Sequence, residues 1–282
     1  MNRPWQKNYD SDVSPEIKIP PIPLYQFLTD SAKKYPQYPA LVFYGKTISY
    51  SGLDDLTNRF GNVLRTFGVR PGDRVTLMLP NIPQCVIAYY AVLKIGAVAV
   101  QTNPLYVERE IEHQLQDSDS QIMIALDLFY PRIKAVMDRT KLRQIILCRI
   151  QDFLPPLLKL FYPLKAKKEG QWIKVEKQPF IHDFMTLVKT ASPQLSLQEV
   201  KPEETALLQY TGGTTGTAKG VILTHHNLVA NTIQCRTWMP DLKEGKEVFL
   251  AVIPFFHVYG MTACPILPAK APASSASPKA KP

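Results

Sequence analysis

Apolar positions in this chain recur at helical spacing in some stretches and cluster in short runs in others, and the switches between the two predict its elements. Residues 24–35 place Tyr25, Phe27, Leu28 and Ala32 on one side of a helix. Two short strands, 40–44 and 47–50, flank Gly45-Lys46, a hairpin signal. The clearest amphipathic pattern spans 51–67, with Leu53, Leu56, Phe60, Val63 and Leu64 at helical spacing. Ser51 reads as its N-cap, Asp54 and Asp55 sit in the first turn, and Gly68 suits the stop. Strands and helices then alternate: strand 75–79, helix Pro83–Lys94, strand 97–101, helix 107–116, strand 121–126, helix Tyr130–Met137 and strand Gln144–Cys148. That order predicts an α/β fold, a largely parallel sheet with flanking helices. No internal repeat of solenoid type is present.

Four stretches depart from this rhythm. Residues 82–100 are apolar enough to resemble a membrane span, but Pro83, Gln84, Lys94 and Gly96 interrupt them. They read as a buried helix, a turn at Gly96 and a buried strand. Residues 1–20 are polar and punctuated by proline, and read as an extended arm. In 150–177 an apolar run from Phe153 to Leu164 precedes Lys165, Lys167, Lys168, Lys174 and Lys177. Residues 153–177 either dock on an anionic membrane surface or form a solvated loop whose apolar residues pack on the domain. Residues 265–282 are rich in Pro, Ala, Ser and Lys, with no acidic or aromatic residue, and read as a disordered tail. The tail follows an apolar segment, 258–264, that reads as poised to continue a helix. The chain is therefore expected to leave its fold abruptly, as a truncated domain.

The most informative residues are Tyr210-Thr211-Gly212-Gly213-Thr214-Thr215-Gly216-Thr217-Ala218-Lys219-Gly220. Glycines allow a sharp turn and close approach of backbone to ligand. Successive loop N–H groups can form an anion-binding concavity. Threonine hydroxyls add donors and oxygen ligands, and the lysine adds a mobile positive charge. The combination suits a polyphosphate. A short buried strand, 206–210, precedes the loop, and the segment from Thr224 reads as a helix after it. The spacing is neither G-x-x-x-x-G-K-(S/T) nor G-x-G-x-x-G.

The loop resembles the phosphate-binding signature of the adenylate-forming enzymes, (Y/F)-T-S-G-(S/T)-T-G-x-P-K-G, with Gly212 in place of Ser and Ala218 in place of Pro. The form Tyr210 to Gly220, followed by Leu223-Thr224-His225 and Asn227, resembles the long-chain fatty acyl-CoA synthetase branch. Ile253-Pro254-Phe255-Phe256-His257-Val258-Tyr259-Gly260 resembles the family's P-x-F-H-x-x-G element, and Pro71 to Val75 and Thr102 to Tyr106 resemble further segments. The resemblance implies an incomplete N-terminal domain of the adenylate-forming fold, with residues 21–264 as a partial AMP-binding domain. It implies a reaction in which a long-chain fatty acid attacks ATP to give acyl-AMP and pyrophosphate, after which CoA displaces AMP. The implied ligands are ATP, Mg²⁺, CoA and the fatty acid. By the same resemblance Thr211, Gly212, Gly213, Thr214, Thr215, Gly216 and Lys219 hold phosphates, Thr214 helps place Mg²⁺, and His257 lies near the acyl carboxylate. His257 also reads as a packed core histidine, and Phe255, Phe256 and Tyr259 suit a core as well as an acyl channel. His225 and His226 read as supports of a helix end; His113 and His182 show no partner. The family's adenine-binding segment, acidic metal ligand, ribose-binding aspartate and lid lysine fall beyond the matched region, so little or no turnover is expected of this chain alone. The alternatives are a ligase for another carboxylic acid, or a non-catalytic fragment with nucleotide or membrane affinity.

The net charge of +9 over 282 residues suits anionic partners, but no Arg-rich helix with interleaved aromatics and no metal-finger spacing supports nucleic-acid binding. Cys85, Cys148, Cys235 and Cys264 are scattered, the pattern of a reducing compartment rather than a disulfide framework. With no apolar leader after Met1, the expected location is cytoplasmic, peripheral to the inner face of the membrane.

Overall fold

A computed structural model describes residues 3–211, 217–243, 245–263 and 274–276. In chain order the helices are α1 (Gln26–Lys34), α2 (Tyr50–Thr66), α3 (Pro83–Lys94), α4 (Glu108–Ser118), α5 (Tyr130–Met137), α6 (Pro156–Lys168), α7 (Phe184–Thr190), α8 (His225–Thr237) and α9 (Val258–Met261). The strands are β1 (Pro39–Phe43), β2 (Lys46–Ser49), β3 (Arg74–Met78), β4 (Val98–Gln101), β5 (Ile122–Leu126), β6 (Gln144–Cys148), β7 (Ile181–Asp183), β8 (Thr205–Thr211), β9 (Lys219–Thr224), β10 (Phe249–Leu250) and β11 (Ser274–Ala276).

The larger sheet runs β7-β6-β5-β3-β4-β8-β9. Its neighbours are parallel except β8 and β9, which close one edge as an antiparallel hairpin. The central strands β3, β4 and β5 are buried nearly throughout, as strands covered by helices on both faces must be. A smaller sheet has the order β10-β11-β1-β2. The α/β architecture read from the alternation is the one observed.

All residues of α3 are buried. A helix apolar on every side is stable only when it is enclosed, and α3 lies against β3, β4 and α2. Gly96, at φ +74°, then turns the chain into β4. No described helix is long and apolar enough to cross a membrane.

The apolar stripe of α2 is buried as predicted, but its N-cap is Ser49 rather than Ser51. Ser49 Oγ accepts the Gly52 N–H at 3.1 Å, while Ser51 Oγ donates to the Pro36 carbonyl at 2.8 Å. The helix starts early because the preceding hairpin is tight. Tyr44 (φ 48°) and Gly45 (φ 84°) form its two-residue loop and pair Phe43 with Lys46.

A buried charge fixes α2 on α3. Lys94, 1% exposed, donates to Asp54 Oδ1 at 2.6 Å, Thr57 Oγ1 at 2.9 Å and Asn58 Oδ1 at 2.7 Å. These bonds use all three ammonium donors. Burial pulls the Lys94 pKa below the usual lysine range, against the opposing pull of Asp54.

Several stretches differ from the sequence expectation. The N-terminal arm opens with a short 3₁₀ turn, Pro4–Asn8, and runs against α8. Tyr9 meets Trp238 edge-on at 4.8 Å, and the Leu24 N–H donates to His225 Nδ1 at 3.1 Å. Residues 150–177 contain α6, and β7 and α7 follow where no element was predicted. Within the expected tail, Ser274–Ala276 forms β11, between β1 and β10. The rest of 265–282 lies outside the described residues, as does Cys264; Cys85, Cys148 and Cys235 are free thiols.

Two outcomes are expected. Lys94→Ala leaves Asp54 without its cation at a buried contact and should cost about 3 kcal/mol of unfolding free energy, read as a lowered urea midpoint at unchanged slope. A loss under about 1 kcal/mol would show that apolar packing alone holds α2 on α3. The second concerns His225, whose pKa burial lowers to about 4. Between that value and the ordinary one near 6.5, the unfolded chain binds a proton that the folded chain refuses. Its stabilising contribution is therefore complete above about 6.5 and lost as pH falls toward about 4. Asp127, raised to about 6 mainly by burial, acts oppositely over the same range, so the readout is a difference between proteins. Between pH 7 and 4.5 the parent should lose on the order of 2 kcal/mol more stability than His225→Asn; equal losses would refute a buried neutral imidazole.

Candidate functional site

The glycine–threonine motif begins in β8 and ends in β9, two strands that pair antiparallel. Thr224 starts α8 as expected, its Oγ1 accepting the Asn227 N–H at 3.1 Å while Asn227 Oδ1 accepts the Thr224 N–H at 3.0 Å. What the sequence reading missed is β9, which stands between loop and helix. Val221 and Ile222 favour the extended chain and pair with Gln209 and Leu208. Gly212, Gly213, Thr214, Thr215 and Gly216 lie outside the described residues. Thr211 and Lys219 are opposite each other in register at the base of the loop, both exposed.

Below them Tyr210 pairs with Gly220. A Cβ on Gly220 would come within 3.1 Å of the Tyr210 ring, so glycine leaves room for the ring to lie across the hairpin. The Tyr210 hydroxyl donates to Asp117 Oδ2 at 2.5 Å. Burial, and then that carboxylate, push the Tyr210 pKa up. One turn earlier on α4, His113 Nε2 meets the Ala218 carbonyl at 2.9 Å. Residues four apart share a helix face, so α4 grips β8 at Tyr210 and the residue just before β9. His113 thus has the partner that the sequence did not reveal; His182 has one too, Gln144 Oε1 at 2.7 Å, away from this site.

Three amide side chains at the carboxyl ends of β3, β4 and β8 fasten the second motif over the sheet. Gln209 Nε2 donates to the Phe256 carbonyl at 3.1 Å. Gln101, paired with Gln209 across β4 and β8, donates to Met261 Sδ at 3.8 Å. Asn81 Oδ1 accepts the Phe255 N–H at 2.8 Å, and its Nδ2 donates to the carbonyls of Ala251 (3.1 Å) and Ile253 (2.8 Å). The turn they hold is so tight that a Cβ on Gly260 would lie 2.2 Å from the Pro254 carbonyl oxygen. His257 is exposed and caps α9, its Nδ1 accepting the Tyr259 N–H at 3.3 Å. It is therefore not the packed core histidine of the alternative reading, although Phe255 beside it is buried. Among the described residues, Nε2 of His257 has no hydrogen-bond partner.

Beyond His257 a cavity of about 740 Å³ opens between α8 and α9, walled chiefly by Leu228, Cys235, Met239, Phe249, Val258 and Tyr259. Its mainly apolar lining and size suit an apolar ligand. No group of three metal-ligating side chains occurs among the described residues. The loop hydroxyls are hard oxygen donors, the type that Mg²⁺ takes together with phosphate oxygens.

The profile of the AMP-binding enzyme family matches residues 28–278. The long-chain-fatty-acid–CoA ligase of Bacillus subtilis (strain 168) is 42% identical over 263 residues, covering 93% of this chain and 47% of the relative. That of Escherichia coli O157:H7 is 34% identical over 269 residues, with the same coverage. The crystal structure of an anthranilate CoA ligase in complex with anthranoyl-AMP has a TM-score of 0.77 at 20% identity, over 94% of this chain and 46% of that one. The long-chain-fatty-acid-CoA ligase of Archaeoglobus fulgidus has 0.75 at 23%, over 93% and 48%. At those identities the two structures show a shared fold. The chain spans about half the length of the relatives it matches. A profile match over most of the sequence shows that the chain belongs to the family of AMP-binding enzymes.

Proposed function

We propose that this chain supplies the phosphate loop and acyl-binding segment of an enzyme that activates a long-chain fatty acid with ATP and passes the acyl group to CoA. The observation that carries the reading is the Gln209–Phe256 hydrogen bond. Gln209 immediately precedes the loop motif and Phe256 immediately precedes His257, so one contact brings both motifs to the carboxyl ends of the parallel strands. Open α/β sheets bind their ligands there.

On this reading Thr211, Gly212, Gly213, Thr214, Thr215 and Gly216 cradle the β- and γ-phosphates with backbone N–H groups and hydroxyls. Lys219 neutralises charge on the departing pyrophosphate. Bound Mg²⁺ would screen the phosphate oxygens, with Thr214 the residue of this chain assigned to it. His257 stands beside the fatty-acid carboxylate as its oxygen bonds to the α-phosphorus and the bridge to the β-phosphate breaks. In the second step the CoA sulfur attacks the acyl carbon, the bond to AMP breaks, and the thiol proton leaves to solvent. Most of such catalysis is positioning and charge stabilisation. The apolar cavity next to His257 favours a long acyl chain over a small aryl acid.

The test is palmitate-dependent release of AMP and pyrophosphate by the purified chain. Release by this half-length chain should be slight and should be lost in Lys219→Ala, and palmitate should outrank benzoate. Preference for benzoate would overturn the substrate assignment. ATP at a hundred times its dissociation constant should stabilise the fold by about 2.7 kcal/mol. That stabilisation without AMP release would favour a nucleotide-binding but non-catalytic chain.

A further inference from the structure

α6 carries its apolar residues outward. A surface helix ordinarily turns its apolar stripe to the core, yet the buried residue of α6 is Ala166. Leu157 (67% exposed), Leu160 (70%), Phe161 (55%) and Leu164 (67%) face solvent. At helical spacing these four fall within an arc of about 100° on the side opposite Ala166. Lys168 lies in the same arc, and Lys165 and Lys167 flank it. Just past the helix Lys167 Nζ sits 5.4 Å over the ring of Trp172, itself exposed. The β1–β2 turn adjoins the helix, with Tyr44 across a cleft from Leu158 and Phe161. Lys46 of that turn lines a second cleft with Lys159, and the repulsion of Lys159 and Lys189 adds to burial in lowering its pKa. Lys159 lies on the Ala166 side, where Asp152 shares the cleft, so the charge that accompanies the outward stripe is that of Lys165, Lys167 and Lys168.

We infer that α6 docks the protein on the surface of an anionic phospholipid bilayer, with Leu157, Leu160, Phe161 and Leu164 among the acyl-chain ends and Lys165, Lys167 and Lys168 against the phosphates. The charges choose between occupants. A protein surface covering this stripe would also have to cover three lysines, of which only Lys165 has a carboxylate within reach among the described residues, Glu169 at 3.8 Å. Burying unpaired ammonium groups is costly. A bilayer interface accepts apolar side chains and cations side by side, and the aromatic belt region suits Trp172. The inference rests on α6 and stands whether or not the proposed reaction does. If both hold, the source of the fatty acid and the acyl cavity belong to one surface.

Flotation of the purified chain with two kinds of vesicle tests it: phosphatidylcholine alone, and phosphatidylcholine with phosphatidylglycerol. The chain should float with the anionic vesicles and less as salt is raised. The triple variant Lys165→Gln, Lys167→Gln, Lys168→Gln should partition about a hundred-fold more weakly, at about five-fold per lysine. Leu160→Asp with Leu164→Asp should abolish flotation while leaving the melting temperature and its shift by ATP unchanged, since both side chains are exposed. No flotation, equal flotation with neutral vesicles, or undiminished flotation of the triple lysine variant would overturn the inference. So would a concentration-dependent dimer that Leu160→Asp with Leu164→Asp dissolves, because a second copy would then be the occupant. Loss of the ATP shift with flotation intact would count against the proposed reaction alone.

Discussion

The enclosure of α3 is the constraint on which the rest depends. With no polar face, this helix must have apolar neighbours on every side, and β3, β4 and α2 provide them. Enclosure brings Lys94 into the interior, and α2 answers with Asp54, Thr57 and Asn58 on its inward side. A polar contact of this kind sets register as well as stability, because a shift of α2 by one turn would leave an ammonium unpaired where water cannot reach it. The strands on either side of α3 in sequence are fixed by the same packing. Asn81 follows β3 and Gln101 ends β4, so the placement of α3 also sets two of the three amides that hold the His257 segment.

Those amides show how a rigid sheet positions an irregular segment. Residues 251–257 have little repetitive structure of their own, and each orphan backbone group in such a segment needs a partner. Asn81 supplies three bonds from a single side chain, which ties the segment to β3 more tightly than apolar contact would. Gly260 makes the return possible, since any side chain there would collide with the Pro254 carbonyl. The described glycines of the two segments both serve close approach, Gly220 to the Tyr210 ring and Gly260 to the Pro254 carbonyl.

What the sequence disclosed follows from which interactions are local. Pro83–Lys94, Tyr130–Met137 and Gln144–Cys148 match the predicted limits to the residue; Pro83 and Pro131 mark the helix starts, and Gly96 turns the chain after α3. The two motifs were legible because their residue types state their chemistry. β9 was not, since it is a largely exposed edge strand created by pairing with β8. α6 escaped the amphipathic test because Pro163 interrupts it and apolar residues, Leu158 and Tyr162 among them, also lie outside its outward stripe. The residues that hold the site were also hidden. His113 and Asp117 are visibly on one helix face, but their partners lie 105 and 93 residues away, and Asn81 reaches across 174. Nothing in the local pattern distinguishes such side chains from ordinary surface polar residues.

The pairing of β8 with β9 on either side of the glycine–threonine segment has an electrostatic consequence. Where a glycine-rich loop leads directly into a helix, the helix N-terminus adds about half a positive charge at the anion. Here α8 begins at the far end of a six-residue strand, about 17 Å beyond the loop base at 3.4 Å per residue. That exceeds the screening length at physiological salt, and sheets contribute little dipole of their own. On the proposed reading, the positive counterpart to the phosphates falls to Lys219 and to the loop's own N–H groups. The carboxylate of Asp117 accepts a hydrogen bond from the Tyr210 hydroxyl. The hairpin is held from the side, where α4 bonds to Tyr210 of β8 and to Ala218, the residue before β9.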